Sequence, residues 1–237
     1  MKIKITPILV LAIIVASLFI LIGIVYLTSL LLKSIDPLWS MILFSFIIII
    51  AVVYDLTLKK RASTQNEIFY EVTKYLLGDN YKKFESFKNL YQSNPQAFLS
   101  KNNVLVKQND NFDFKNLKSV ELLYLFGTSE KIISVTDWKG EENEYEIEKF
   151  LDANANSRVW ENAIAFRKSV TKNEVRDDSF PIGLLKAIDK DLAIAGHRLL
   201  FLDLGWDSYV YLCITTTAYN RILAIPTKFF YSIDRLK

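Results

Sequence analysis

The 237-residue chain is 51% hydrophobic and 23% charged, with 29 basic and 26 acidic residues and a formal charge of +3. Seven glycines, five prolines and one cysteine exclude a collagen-like, disordered or disulfide-framework protein. These averages conceal a division: residues 1–58 carry only Lys2, Lys4, Lys33, Asp36 and Asp55 as charges, while residues 59–237 hold 26 basic and 24 acidic residues, a balance of +2. So small a balance excludes nucleic-acid binding by bulk charge, and no nucleic-acid partner is expected.

Residues 7–32 form a charge-free run of 26 residues, about 39 Å of helix at roughly 1.5 Å per residue, against a hydrocarbon core about 30 Å thick. That is too long for a signal-peptide core. After Lys33-Ser34-Ile35-Asp36 a second apolar run covers residues 37–54, and Leu56 extends it. A connector of four residues forces two helices antiparallel, so the pattern predicts a transmembrane hairpin within residues 1–58, with spans at about 7–32 and 37–57. Pro37 suits a first helical turn. Trp39, Tyr54 and Tyr26 fall near span ends, where amphipathic rings prefer the headgroup level. Lys59, Lys60 and Arg61 at the exit of the second span, with Lys2 and Lys4 at the amino end, place both termini on the cytoplasmic side of a cell (inner) membrane. Neither span has an ionisable group at mid-depth, so the hairpin reads as an anchor in the lipid bilayer, not an ion path.

Residues 59–237 are long enough for one water-facing domain. Thr64 and Glu67 match a capping box, and Ile68, Phe69, Val72, Tyr75 and Leu76 recur on one helical face up to Gly78. Asp79 is placed to cap a second helix with the stripe Tyr81, Phe84, Phe87 and Tyr91, ended by Pro95. Lys82, Lys83 and Lys88 lie off that stripe and read as a solvated face. Residues 102–116, rich in Asn and Asp, read as a loop with one short strand. A helix follows at about 117–126, ending near Gly127, then a strand at 131–137 with β-branched character. Glutamate-rich residues 142–153 and residues 158–170 read as helices, the acids explained by the preference of a helix start for negative charge. Ser179 opens a helix carrying Leu184, Leu185, Ile188 and Leu192 and stopping at Gly196. Residues 198–204 and 209–215 are two apolar strands joined through Gly205-Trp206-Asp207-Ser208, and the remainder is a short helix and a tail. The fold class is α+β.

Few groups offer chemistry. The single histidine, His197, follows Gly196 at a helix end, where an imidazole bonds terminal carbonyls. With one Cys as well, zinc sites needing several such ligands are excluded. A Ser208–His197–Asp203 triad has no Gly-x-Ser-x-Gly elbow behind it. Cys213, inside an apolar strand, reads as a small core residue. No phosphate-cradling Gly-rich loop occurs, and no cofactor or metal is expected. Asp137-Trp138-Lys139 at a strand end, with Asp113 upstream, resembles the core of restriction-endonuclease-like nucleases, in which carboxylates hold Mg²⁺ and the lysine stabilises charge beside the attacked phosphate.

The run Leu199-Leu200-Phe201-Leu202-Asp203-Leu204-Gly205-Trp206-Asp207-Ser208-Tyr209-Val210-Tyr211, after an amphipathic helix and with the earlier Asp137-Trp138-Lys139, resembles an uncharacterised bacterial domain-of-unknown-function family over about residues 117–225. That resemblance implies a shared fold and no known activity. Strand ends converge at one edge of a sheet, so Asp137, Trp138, Asp203, Trp206, Asp207 and Tyr209 form the expected functional surface. The expectation is a membrane-tethered interaction or regulatory domain with a protein partner, rather than an enzyme. The alternative is a Mg-dependent nuclease or phosphodiesterase using Asp113, Asp137 and Lys139.

Overall fold

The computed structural model describes residue 26 and residues 37–109, 112–140, 143–155, 160–170 and 179–236. The rest of the first apolar run, the connector at 33–36 and the side chain of Trp39 lie outside the described residues. The chain divides after Thr64, within helix α1 (Pro37–Leu77). This helix begins at Pro37, as expected, but runs on past the span end and domain boundary expected at 57–58. No Gly or Pro interrupts residues 38–77 to stop it. An Asp55–Lys59 pair bridges one turn across the expected boundary. No helix starts at Thr64 either. Its hydroxyl lies mid-helix and donates back to the Lys60 carbonyl at 3.0 Å. Among the described residues no helix is long and apolar enough to cross a membrane.

The unit from Gln65 to Lys237 is α+β. After α1 come a 3₁₀ turn at Gly78–Asn80, then α2 (Tyr81–Ser93), α3 (Pro95–Lys101), α4 (Asn103–Gln108) and α5 (Ser119–Ser129). Strand β1 (Ser134–Asp137) precedes α6 (Glu146–Ala155), α7 (Glu161–Ser169) and α8 (Ser179–Ile194). Then follow β2 (His197–Leu202), β3 (Ser208–Thr215), α9 (Thr216–Leu223) and β4 (Phe230–Tyr231). The strands form one antiparallel sheet in the order β1–β3–β2–β4.

Period-two alternation along the central strands feeds two cores. Leu200, Leu202, Val210, Leu212 and Ile214 join Phe69 and Val72 of α1, Phe84 of α2, the buried face of α5 and Ile222 of α9. Leu199, Phe201 and Tyr211 face the other way, against Ile147 and Leu151 of α6, Ala163 of α7 and Leu184, Leu185, Ile188 and Leu192 of α8. Both faces of β2 and β3 are therefore covered, which accounts for their nearly continuous apolar runs. Tyr211 is fully buried, and its hydroxyl is hydrogen-bonded to Thr136 of β1 at 3.0 Å.

Several boundaries differ from the sequence expectation. Residues 103–108 form α4, not a strand. Pro95 opens α3 rather than merely ending α2, with the Asn94 side chain accepting from Ala97 N at 3.1 Å. Asp79 caps nothing: α2 follows the 3₁₀ turn directly. Tyr75 is exposed, and Thr73 takes its place on the buried face of α1. Gly127 does not end α5. It sits inside the helix because a Cβ there would lie 2.3 Å from Ile133 Cδ1, and the reversal falls to Lys131 at φ 57°. The two-residue β4 lies in the stretch expected to be a tail.

Three buried acids tie the second layer together. Asp191 of α8 accepts the backbone N–H of Asn162 and Ala163 at 3.0 and 2.9 Å, capping α7 from another helix. Asp189 accepts from Leu199 N at 2.8 Å and pairs with Arg198, fixing α8 to the start of β2. Glu148, explained from sequence as a helix-start acid, is instead buried and paired with Arg167 of α7 through bonds of 2.8 and 2.9 Å.

Gly127→Ala is expected to destabilise the protein by about 1–3 kcal/mol, because the Ile133 side chain must leave its rotamer. Urea unfolding of the full chain in detergent checks this; a loss below about 0.5 kcal/mol, the level of a neutral surface change, contradicts the close approach.

Candidate functional site

The β2–β3 connection and the end of β1 meet because the register pairs Asp137 with Ser208. Gly205, at φ 72°, allows the connection to turn, and Asp203 Oδ1 accepts from Gly205 N at 3.1 Å to hold its entry. Beside this junction lies a groove of about 510 Å³ lined by Trp138, Ile182, Trp206, Asp207, Ser208, Tyr209 and Tyr231. Four of the six residues expected to form a functional surface therefore line one cavity: Trp138, Trp206, Asp207 and Tyr209.

Asp137 and Asp203 flank the groove without lining it. Asp137 accepts from Lys139 N at 3.0 Å, and Asp203 is bridged to Arg235 at 3.3 Å. Ile182 and Tyr231 were not anticipated. Ile182 precedes the apolar stripe of α8, and Tyr231 belongs to the overlooked β4, for which the only sequence signal is Phe229-Phe230-Tyr231 beyond Pro226.

The rings are anchored differently. Trp206 packs edge-on to Tyr124 of α5 with centroids 5.0 Å apart, and Phe112 lies 5.2 Å away, so its indole is clamped. Trp138 is 38% exposed, with Lys139 Nζ 5.2 Å from its ring centroid. Tyr231 stacks on Phe201 at 5.3 Å and has the Arg235 guanidinium 5.0 Å from its centroid. Burial first, then the neighbouring Asp203 carboxylate, pushes the Tyr231 phenol up to about 12. Asp207 is exposed and makes no hydrogen bond or ion pair among the described residues. A second groove of about 510 Å³ lies beside Thr128, Glu130 and Asn154, but its carboxylate, Glu130, is held by Lys83 at 3.2 Å.

The acids of the nuclease alternative are occupied locally. The Asn116 amide, followed by the Lys115 N–H, bonds Asp113 and holds its carboxyl below the ordinary carboxylate value, while Asp137 accepts from Lys139 N. Among the described residues no group of three His, Cys, Asp or Glu side chains could hold a metal ion. His197 Nδ1 is hydrogen-bonded to the Ala195 carbonyl at 3.0 Å, at the end of α8.

The family model for a domain of unknown function, DUF6630, matches residues 73–237. The chain belongs to this family. The matched stretch includes every strand of the sheet and every residue lining the groove. No curated protein and no solved structure matches the chain.

Burial pushes the Cys213 thiol up to about 12, from an ordinary value of 9.0. Because the folded state keeps the Cys213 and Tyr231 protons longer than the unfolded chain, both groups favour folding below their unfolded values. That contribution is lost as pH rises through about 9–12 for Cys213 and 10–12 for Tyr231. Iodoacetamide labelling of native Cys213 at mildly alkaline pH is expected to run roughly 10³-fold slower than in denaturant, the ratio of thiolate fractions. Equal rates would contradict the desolvation of this half-buried thiol.

Proposed function

We propose that this protein is a domain anchored in the inner membrane by its N-terminal hairpin, with both termini cytoplasmic, that holds a protein partner at the aromatic groove and performs no covalent chemistry. The observation that carries the anchor is the surface of α1. Phe46, Ile47, Ile49, Ile50, Val52 and Val53 are each more than half exposed, as are Tyr54 and Leu56. At about 100° per residue these positions span roughly 220° of the helix circumference, more than a single packed face covers, and so broad an apolar surface belongs in a hydrocarbon surrounding. Together with the charge-free run at 7–32, this supports the expected hairpin with its second span at about 37–57; α1 itself does not reach the length and apolarity of a membrane-crossing helix among the described residues, so the sequence run carries that part of the reading. Tyr54 then sits at the headgroup level, and Lys59, Lys60 and Arg61 at the cytoplasmic face. The binding role is supported by the groove: an exposed Trp138 and three half-buried rings beside a carboxylate that has no hydrogen bond or ion pair among the described residues.

The full chain is expected to stay with the membrane through an alkaline carbonate wash, and protease added to spheroplasts is expected to leave residues 62–237 uncut. Release by carbonate overturns the anchor, and digestion reverses the orientation. A photo-crosslinking amino acid at position 138 is expected to give a discrete adduct in cells, whereas one at position 194, 81% exposed at the far end of α8, gives none. Matching adducts from both positions, or none at 138, remove the groove as the partner site.

A further inference from the structure

We infer that the groove receives a basic side chain, the ammonium of a lysine or the guanidinium of an arginine on the partner protein. This rests on the groove being the partner site and specifies its chemistry. Aromatic ring faces carry negative potential, and a cation within about 6 Å of a ring centroid is attracted to it. Two of the groove's four rings already hold a cation of the protein itself: Lys139 lies 5.2 Å from Trp138 and Arg235 5.0 Å from Tyr231. Among the described residues the charges around the rim, Asp137, Asp203 and Asp207 against Lys139 and Arg235, leave one negative charge in excess. Among the described residues Arg235 is bridged to Asp203, and Asp137 accepts from the backbone N–H of Lys139, whose ammonium lies by Trp138; the carboxylate without a hydrogen bond or ion pair there is Asp207. It lines the same cavity as the four rings, and its neighbour Ser208 adds a hydroxyl at the wall. An anionic ligand would meet Asp207 directly, and a neutral apolar one would leave that carboxylate desolvated and unpaired. A basic side chain satisfies both features at once, with its alkyl stem along the indoles and its head at the carboxylate. A volume of about 510 Å³ accommodates one such side chain and adjoining backbone.

The test uses the full chain in detergent micelles, reading tryptophan emission during titration with capped tripeptides Gly-X-Gly, where X is lysine, arginine, norleucine or glutamate. The lysine and arginine peptides are expected to give saturable changes, with norleucine at least about tenfold weaker and glutamate silent. Asp207→Asn, an exposed loop change that leaves the fold intact, is expected to weaken the lysine peptide about three- to tenfold. Trp138→Ala, at an exposed ring, is expected to remove most of the response, and far-ultraviolet circular dichroism confirms that both variants are folded. Equal binding of norleucine and lysine overturns recognition by charge, as does an unchanged affinity in Asp207→Asn. Choline chloride is a further arm. Saturation by choline with no response to the lysine and arginine peptides assigns the groove to a free or lipid-borne cation and overturns the side-chain assignment. Silence from every basic peptide, with the position-138 crosslink retained, overturns the cation inference while leaving the groove as a partner site; loss of that crosslink removes both.

Discussion

The pairing of β2 with β3, buried on both faces, is the constraint on which the rest of the domain depends. Leu200 opposite Leu212 and Phe201 opposite Tyr211 assign successive side chains to opposite cores. A slip of one residue would send every leucine to the wrong layer, so the register is specified by burial and not by the turn alone. Asp189 reinforces it by holding Leu199 N from α8, which fixes where β2 begins. With the start set there and the pairing set by packing, the connection at 203–207 has one place to emerge. That place is beside the end of β1, and Trp206 and Asp207 are delivered to the groove as a result.

The charges that stabilise the domain and the one proposed for binding are separate groups. Glu148, Asp189 and Asp191 are buried and fully engaged, and removing one partner from such a pair strands the other in a low-dielectric interior. Asp207 is exposed and makes no hydrogen bond or ion pair among the described residues. Trp206 is intermediate: its ring is clamped by Tyr124 and Phe112, so it contributes to packing while it lines the cavity. The groove thus combines one wall set rigidly by the core with a second, Trp138, that is more open to solvent.

Much of this was legible in the sequence where periodicity was strong. The stripe of α8, the paired strands around Gly205 and the stripe of α2 follow from spacing and turn chemistry, and the approach of Trp138 to Trp206 and Tyr209 follows from strand ends meeting at a sheet edge. What escaped depended on distant partners. The hidden acids could not be read, because Asp189 and Asp191 look like ordinary breaks in an amphipathic pattern until Arg198 and the start of α7 stand beside them. Gly127 looks like a terminator in the sequence because a helix-ending glycine and one required by close packing are the same letter. Continuity of α1 past residue 57 was missed because a change in polarity suggests a boundary, although it removes no backbone hydrogen bond.

The shortness of the outer strands has a consequence for recognition. β4 has two residues, and the four residues of β1 end where Asp137 folds back to bridge Gly140. Neither rim offers a long row of free amides and carbonyls on which a visiting peptide could extend the sheet. On the proposed reading, a partner docking here is chosen by its side chains, one pocket at a time. Its backbone can follow any path across the surface, so unrelated sequences could share the site if each presents the right group at the right spot.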